Sequence, residues 1–208
     1  MLNLRRLFQI LLTLALVPLV VALGEYDREA SRLSDLMNWR PGQIIAEIGA
    51  GEGQMSFFAS ARVGPSGHVY VTELDDKKLD YLKREVTQRK LQNVTVIKAG
   101  AISTNLPDGC CDVIFMRRVY HHFKDPEQTN VAILRDLKPG GLLAVIDFSP
   151  RPALPPVDGA PKSHGGHGVP KQVLIQELTA AGFEIVREPD NWPNPDDYCV
   201  IARKSPGP

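Results

Sequence analysis

Three glycines at alternate positions follow a short apolar run in the stretch Ile44–Ser56, "IIAEIGAGEGQMS". Glu47 stands two residues before the first of them, Gly49, and Gly51 and Gly53 follow. Glycine adopts positive φ angles and lets a ligand approach the main chain closely, because it has no Cβ. An apolar run that ends in glycines and leads into a helix is typical of a nucleotide-binding turn. These residues therefore predict a nucleotide-like ligand at the end of the first strand.

The spacing of the glycines separates two classes of nucleotide site. A dinucleotide fingerprint requires Gly-x-Gly-x-x-Gly, whereas Gly53 comes one residue too early for that pattern. Glu47 and Glu52 also bring negative charge to the place where a pyrophosphate would bind. We therefore expect a cofactor without phosphates, and an NAD(P)-dependent oxidoreductase is the less favoured alternative.

The rest of the chain alternates short apolar runs with helical patterns. The predicted strands are Ile44–Ile48, His68–Thr72, Val94–Lys98, Val113–Met116, Leu142–Phe148, Glu184–Glu188 and Tyr198–Arg203. The predicted helices are Gln54–Ala61, Asp76–Arg89, Pro126–Leu137 and Pro170–Ala181, with a short amphipathic helix in Glu25–Arg40. This alternation predicts an α/β fold with a doubly wound, Rossmann-like sheet, mostly parallel with an antiparallel final strand, and helices on both faces.

Four motifs resemble, in order, those of the class I S-adenosylmethionine-dependent methyltransferases. They are the glycine turn, "VYVTELD" (Val69–Asp75), "LPDGCCDVIFMRRVYHHFKDP" (Leu106–Pro126) and "LKPGGLLAVIDF" (Leu137–Phe148). The segments "VYHHF" and "HGVPKQVLIQELTAAGF" further resemble a bacterial group of predicted methyltransferases, many of which carry exported leaders. The resemblance implies S-adenosylmethionine as cofactor and methyl transfer to a small-molecule substrate.

The resemblance also implies which residues bind the cofactor. The glycine turn would meet its amino-acid tail, Glu47 its ammonium, and Glu73 both ribose hydroxyls, since a carboxylate accepts several hydrogen bonds. Family members often carry an acid near the adenine, where this chain has Ala101. Arg117 has two further interpretations, contact with an acidic substrate or capping of its strand. The predicted cofactor residues are Glu47, Gly49, Ala50, Gly51, Gly53, Glu73, Leu74, Ala101, Ile102 and Arg117.

Methyl transfer is an in-line displacement that depends mainly on positioning and on a dry pocket. A general base is needed only where the acceptor loses a proton. The candidates are His121 and His122 beyond the fourth strand, Tyr120 beside them, and two histidines of the irregular segment Ser149–Gly168, His164 and His167. Helix-start packing is an equal interpretation of His121 and His122. Two histidines in "HGGHG" are too few for a metal site, so no metal is expected.

A non-catalytic nucleotide-binding module of the same fold remains the alternative, because Ala101 departs from the family pattern.

The 208 residues carry 24 Lys and Arg against 24 Asp and Glu, and this balance argues against a nucleic-acid partner. The cysteines, Cys110, Cys111 and Cys199, are too few for a disulfide framework.

The first 24 residues differ from the rest of the chain. Arg5 and Arg6 precede the uncharged run Leu7–Gly24, "LFQILLTLALVPLVVALG". This pattern predicts a signal peptide or membrane anchor in residues 1–24, followed by a methyltransferase domain in residues 25–208 that is exported or anchored. Contact with a membrane is expected only through this N-terminal segment. S-adenosylmethionine is made in the cytosol, and this supply instead favours a domain on the cytosolic side.

The predicted location is testable by protease protection. We expect protease added outside the inner membrane of intact cells to digest residues 25–208 while a cytosolic marker survives, because Arg5 and Arg6 hold the start of the segment inside. A variant that lacks Leu7–Gly24 serves as the protected control. Survival of the full chain to the same extent as the marker would place the domain in the cytosol.

Overall fold

The structure is a computed structural model and describes residues 24–207. The predicted signal peptide or anchor therefore lies outside the described residues, apart from Gly24. Between residues 24 and 207, no helix is both long enough and apolar enough to cross a bilayer.

Helices and strands alternate along the described chain. The helices are α1 (residues 24–36), α2 (Gln54–Val63), α3 (Asp76–Gln88), α4 (Pro126–Asp136) and α5 (Lys171–Ala180). The strands are β1 (Ile44–Ile48), β2 (His68–Glu73), β3 (Val94–Lys98), β4 (Cys111–Arg117), β5 (Leu137–Phe148), β6 (Phe183–Arg187) and β7 (Asp197–Lys204). Short 3₁₀ turns cover Tyr120–His122 and Lys162–His164, the second within the segment predicted to be irregular.

The strands of the described residues form one sheet in the order β3-β2-β1-β4-β5-β7-β6. Neighbouring strands are parallel except at β7, which runs antiparallel to both β5 and β6. This topology confirms the predicted fold class. The strand order reverses between β1 and β4, which pair side by side. Such a reversal leaves a crevice at the carboxyl ends of the strands, where ligands of these folds bind.

The central strands are buried on both faces, which explains why they are apolar without alternation. In β4, Phe115 packs into the cluster on one face of the sheet and Met116 into the cluster on the other. Helix α1 covers the first face with Leu33, and Met37, directly after the helix, packs into the same cluster. The ring of Trp39 follows the helix and lies 5.3 Å from that of Phe115, centroid to centroid. The apolar side of the predicted amphipathic helix therefore belongs to the domain core.

Most strand and helix boundaries differ from the predicted ones by one or two residues, and the start of β5 differs by five. Strand β5 begins at Leu137, five residues before the predicted start, because Leu137 pairs with Cys111 ahead of an irregularity in the β4–β5 register. The segment "KPGG" is therefore part of an extended strand and not a turn. Main-chain pairing stabilises this part of β5, and the side-chain pattern does not report such pairing.

Acidic caps fix the turns that follow β2 and β4. The side chain of Asp75 accepts from the Lys78 N–H at 2.9 Å and starts α3. Asp125 accepts from the Gln128 N–H at 3.0 Å, and Pro126 is the first residue of α4. Both arrangements satisfy N–H groups that have no partner within the helix.

The turn into β2 depends on a glycine for space. A Cβ on Gly67 would lie 2.6 Å from the Gln43 carbonyl oxygen and 2.6 Å from the Cβ of Val63. We expect Gly67→Ala to lower the free energy of unfolding by about 1–3 kcal/mol, as overpacking usually does. Urea unfolding measures this change, and Ser66→Ala is the control because Ser66 is exposed. Equal stability of the two variants would contradict this account.

Candidate functional site

A cavity of about 590 Å³ lies where the strand order reverses. Its volume is within the range of small-molecule sites. The glycine turn after β1 forms one wall, the turns after β2, β3 and β4 form others, and the first described turn of α1 adds Tyr26. Most of the predicted cofactor residues line this cavity: Glu47, Gly49, Ala50, Gly51, Glu73, Leu74, Ala101 and Arg117. Gly53 and Ile102 lie beside it without lining it.

The three glycines of the turn are needed for different reasons. All have positive φ, which disfavours a side chain. A Cβ on Gly49 would lie 2.6 Å from a methyl of Val119, and one on Gly53 would lie 2.7 Å from a methyl of Leu82. A Cβ on Gly51 would meet no protein atom within 4 Å, although Gly51 lines the cavity. The space over Gly51 is therefore open to a ligand.

Main-chain donors hold the carboxylate of Glu73 in place at the end of β2. Its Oε2 accepts from the Gly51 N–H at 3.0 Å. Its Oε1 accepts from the N–H groups of Leu74 at 2.8 Å and Asp75 at 3.2 Å. A carboxylate offers about four acceptor positions, so Glu73 can still accept from a ligand hydroxyl. These bonds orient Glu73 before any ligand arrives.

Glu47 is buried at the bottom of the cavity, with 4% of its surface exposed. Burial raises the pKa of Glu47 to about 8, although a hydrogen bond from the Ser56 hydroxyl opposes the shift. The carboxyl group is therefore mostly protonated at neutral pH. A cationic ligand group beside it would favour the ionised form.

Arg117, at the end of β4, is held by carboxylates of the protein. Its Nη2 lies 2.8 Å from Oε1 of Glu25 and 3.9 Å from Oδ2 of Asp197, and its Nε donates to Glu29. The guanidinium also lies 4.6 Å from the ring centroid of Tyr26. The charge of Arg117 is thus compensated from within the chain. Its contacts attach α1 to the rim of the sheet.

Burial raises the pKa of Glu29, and the neighbouring Arg117 opposes that shift. The other Glu29 oxygen accepts from the Trp192 indole N–H at 2.7 Å. Both carboxylate oxygens of this buried acid therefore have partners, as a buried charge requires.

Two of the candidates, Tyr120 and His121, lie on a 3₁₀ turn that buries them away from the cavity. Tyr120 is fully buried, and its hydroxyl donates to Glu177 at 2.8 Å and accepts from Asn130 Nδ2 at 2.8 Å. His121 is 1% exposed, with Nδ1 2.8 Å from Asp147 Oδ1. Neither residue lines the cavity. Consecutive side chains of a tight turn point in different directions, so adjacency in the sequence did not place these groups together.

His167, a further candidate, also lies away from the cavity lining, with Nδ1 3.0 Å from the Pro155 carbonyl oxygen. Its ring centroid is 5.2 Å from that of His121 and 6.1 Å from that of His122. His122 does line the cavity, and burial lowers its pKa. Because it lines the cavity, His122 is the histidine that the geometry favours for contact with a ligand. Its lowered pKa favours the neutral imidazole, which is able to accept a proton.

Several cavity residues were not predicted from the sequence. They include Tyr26, Lys78, Ser103, Thr104 and Thr129. The hydroxyl of Thr104 donates to the buried Asp136, and this hydrogen bond fixes the turn after β3. Tyr26 precedes the glycine turn by more than 20 residues, and no local pattern connects the two.

The chain is similar to known methyltransferases. A family described as a methyltransferase domain matches residues 46–145. The ubiquinone/menaquinone biosynthesis C-methyltransferase UbiE of Vibrio parahaemolyticus is 30% identical over 154 residues, which are 74% of this chain and 58% of the relative. UbiE of Serratia proteamaculans is 28% identical over 159 residues, covering 76% of this chain and 59% of the relative. The chain belongs to the class I S-adenosylmethionine-dependent methyltransferases.

The matched region of this methyltransferase chain runs from β1 to β5 and contains all ten predicted cofactor residues. The chain spans about three fifths of the length of the curated relatives it matches. A methyltransferase structure from Aquifex aeolicus has a TM-score of 0.71 at 24% identity and covers 84% of this chain and 89% of its own. The [4+2]-cyclase SpnF has a TM-score of 0.67 at 20% identity, covering 85% of this chain and 82% of its own. These two structures show the fold alone.

The raised pKa of Glu47 predicts a pH-dependent stability. Because the folded-state pKa of about 8 is above the ordinary value of 4.5, the stabilisation is complete below the ordinary value and is lost as pH rises through about 8. We expect the free energy of unfolding of the wild type to fall relative to that of Glu47→Gln between about pH 5 and about pH 9. Urea unfolding at several pH values measures this difference.

The matched control is Glu52→Gln, since Glu52 is an exposed neighbour in the same turn. This variant should keep the pH dependence of the wild type. Parallel stability curves for the wild type and Glu47→Gln would show that Glu47 is not the group responsible.

Proposed function

We propose that this domain binds S-adenosylmethionine and transfers its methyl group to a small-molecule acceptor. The observation that carries the proposal is the pair formed by Glu73 and Gly51 at the strand reversal. Main-chain donors hold the carboxylate of Glu73, and the space over Gly51 is open within the cavity. Family membership supports the same cofactor.

The residues present fit the chemistry of this cofactor. S-adenosylmethionine supplies an electrophilic methyl group on a sulfonium cation. Glu73 and Glu47 both line the cavity; Glu73 would accept from the ribose hydroxyls, and Glu47 would favour the ammonium of the amino-acid tail. The exposed side chain of Leu74 and the turn at Ala101 offer an apolar edge to the adenine.

The walls around the cavity position the reactants and limit water. Tyr26 and Arg117 cover one side, where the guanidinium lies 4.6 Å from the ring centroid. Val119 closes the space behind Gly49. His122 lines the cavity, and its lowered pKa favours the neutral imidazole, which can accept a proton that leaves the methyl acceptor. The curated relatives are named as C-methyltransferases, and we extend to this chain only the transfer of a methyl group.

A non-catalytic module that binds the same nucleotide is the second candidate. The absence of an acid at Ala101 favours it. Binding and turnover therefore have to be measured separately. Export or anchoring of the domain stays a proposal that rests on the composition of residues 1–24.

Calorimetric titration with S-adenosylmethionine, S-adenosylhomocysteine and NAD tests the cofactor. We expect micromolar binding of the first two ligands and a loss of roughly 10- to 100-fold in Glu73→Ala, because each hydrogen bond to a charged group contributes about 1.5–3 kcal/mol. Asp76→Ala is the matched control, because Asp76 is a nearby, exposed acid that does not line the cavity.

Binding of NAD alone would overturn the methyltransferase proposal. Equal affinities of the two variants would contradict the assignment of Glu73. Binding of S-adenosylmethionine without any transfer of a labelled methyl group to cell extracts would favour the non-catalytic module.

A further inference from the structure

Helix α1 meets the cavity at its first described turn. Tyr26 lines the cavity, and Glu25 Oε1 lies 2.8 Å from Nη2 of Arg117. The same oxygen accepts from Asn194 Nδ2 at 2.8 Å. These contacts hold residues 25 and 26 at the rim. Two peptide units join Gly24 to Tyr26, so their Cα atoms are at most about 7 Å apart.

The sequence that leads into this rim is apolar. Leu7–Gly24 contains no charged residue, and Arg5 and Arg6 precede it. A bilayer-spanning helix needs about 20 apolar residues, and the run approaches that length. If lipid takes up this run, the lipid surface lies next to the place where Gly24 enters the domain. The cavity wall at Tyr26 would then be adjacent to the membrane.

Exposed apolar side chains occur on the same edge of the domain. Ile102 is 42% exposed in the turn after β3, directly after the cavity residue Ala101. Leu154 is 41% exposed in the segment after β5. Because β3 and β5 belong to the parallel part of the sheet, their carboxyl ends lie on one edge. Neither side chain lines the cavity, so a ligand bound there does not account for their exposure.

We infer that the edge of the domain around the cavity docks on the phospholipid bilayer that holds residues 7–24, and that the methyl acceptor enters the cavity from this bilayer. The acceptor is then a membrane-soluble amphiphile with its reactive group near the headgroups. The acceptor part rests on the proposed methyltransferase function, whereas the docking part does not. Tyr26 and Arg117 form the cavity wall nearest to the lipid.

Fluorescence quenching by lipid tests the docking surface. The full chain is reconstituted in phosphatidylcholine and phosphatidylglycerol vesicles, with or without brominated acyl chains. An environment-sensitive dye is attached to a single introduced cysteine in Ile102→Cys or Leu154→Cys. All variants carry Cys110→Ser, because Cys110 is partly exposed whereas Cys111 and Cys199 are buried.

Two control positions are matched to the probes. Val131→Cys places the dye on α4, at a position where the native valine is 53% exposed. Gln92→Cys places it in the exposed turn before β3, at the opposite edge of the sheet. We expect brominated lipid to remove about half or more of the emission at 102 and 154 and less than about a tenth at 131 and 92, because docked side chains reach roughly 5–10 Å into the interface. Equal quenching at all four positions, whether strong or absent, would overturn the docking.

The acceptor is tested with labelled S-adenosylmethionine and the same vesicles. We expect the labelled methyl group in the organic phase when vesicles contain total lipid of the source cells, and not when a water-soluble extract replaces that lipid. Label that appears only with the water-soluble extract overturns the membrane acceptor. No label with either extract, together with no binding of S-adenosylhomocysteine, overturns the proposed function and leaves the docking to be decided by the quenching.

Discussion

The hydrogen bond from the Gly51 N–H to the Glu73 carboxylate joins the two turns from which the site is built. It connects the turn after β1 to the end of β2 at 3.0 Å. Two further N–H groups of the next turn donate to the same carboxylate. Bonds from N–H groups to a charged acceptor are stronger than neutral ones, so this acid can be buried and still keep its orientation. A side chain at position 51 would instead occupy the cavity.

A second set of interactions attaches the N-terminal helix to the site. Glu25 and Glu29 on α1 and Asp197 at the start of β7 surround Arg117. Removing a charge from the water costs free energy that only close partners offset, and losing one partner of a buried pair usually destabilises a protein by about 3–5 kcal/mol. The cavity wall at Tyr26 therefore depends on contacts between segments that are far apart in the sequence.

Much of the fold follows from local patterns. Short apolar runs, helical periodicity and acidic caps placed the strands and helices within a few residues, since each pattern reflects side chains that pack or cap locally. The start of β5 escaped prediction because Leu137 is held by main-chain pairing with Cys111, through a Pro-Gly-Gly stretch that resembles a turn. For the site, the glycine turn and Glu73 were visible because both lie at strand ends. The assignment of the remaining cofactor residues to specific contacts stays a prediction.

The sequence by itself determined the fold class and the methyltransferase family and predicted where the ligand binds, because strand-end motifs are contiguous and each motif reports a local main-chain requirement. Only the tertiary structure decided which side chains share the cavity. It placed Tyr26 and His122 on the cavity wall and kept Tyr120 and His121 in the core. It also paired Arg117 with carboxylates instead of leaving it free for a ligand. The physical reason is that burial and charge pairing depend on neighbours brought together by folding, and sequence spacing does not contain those neighbours.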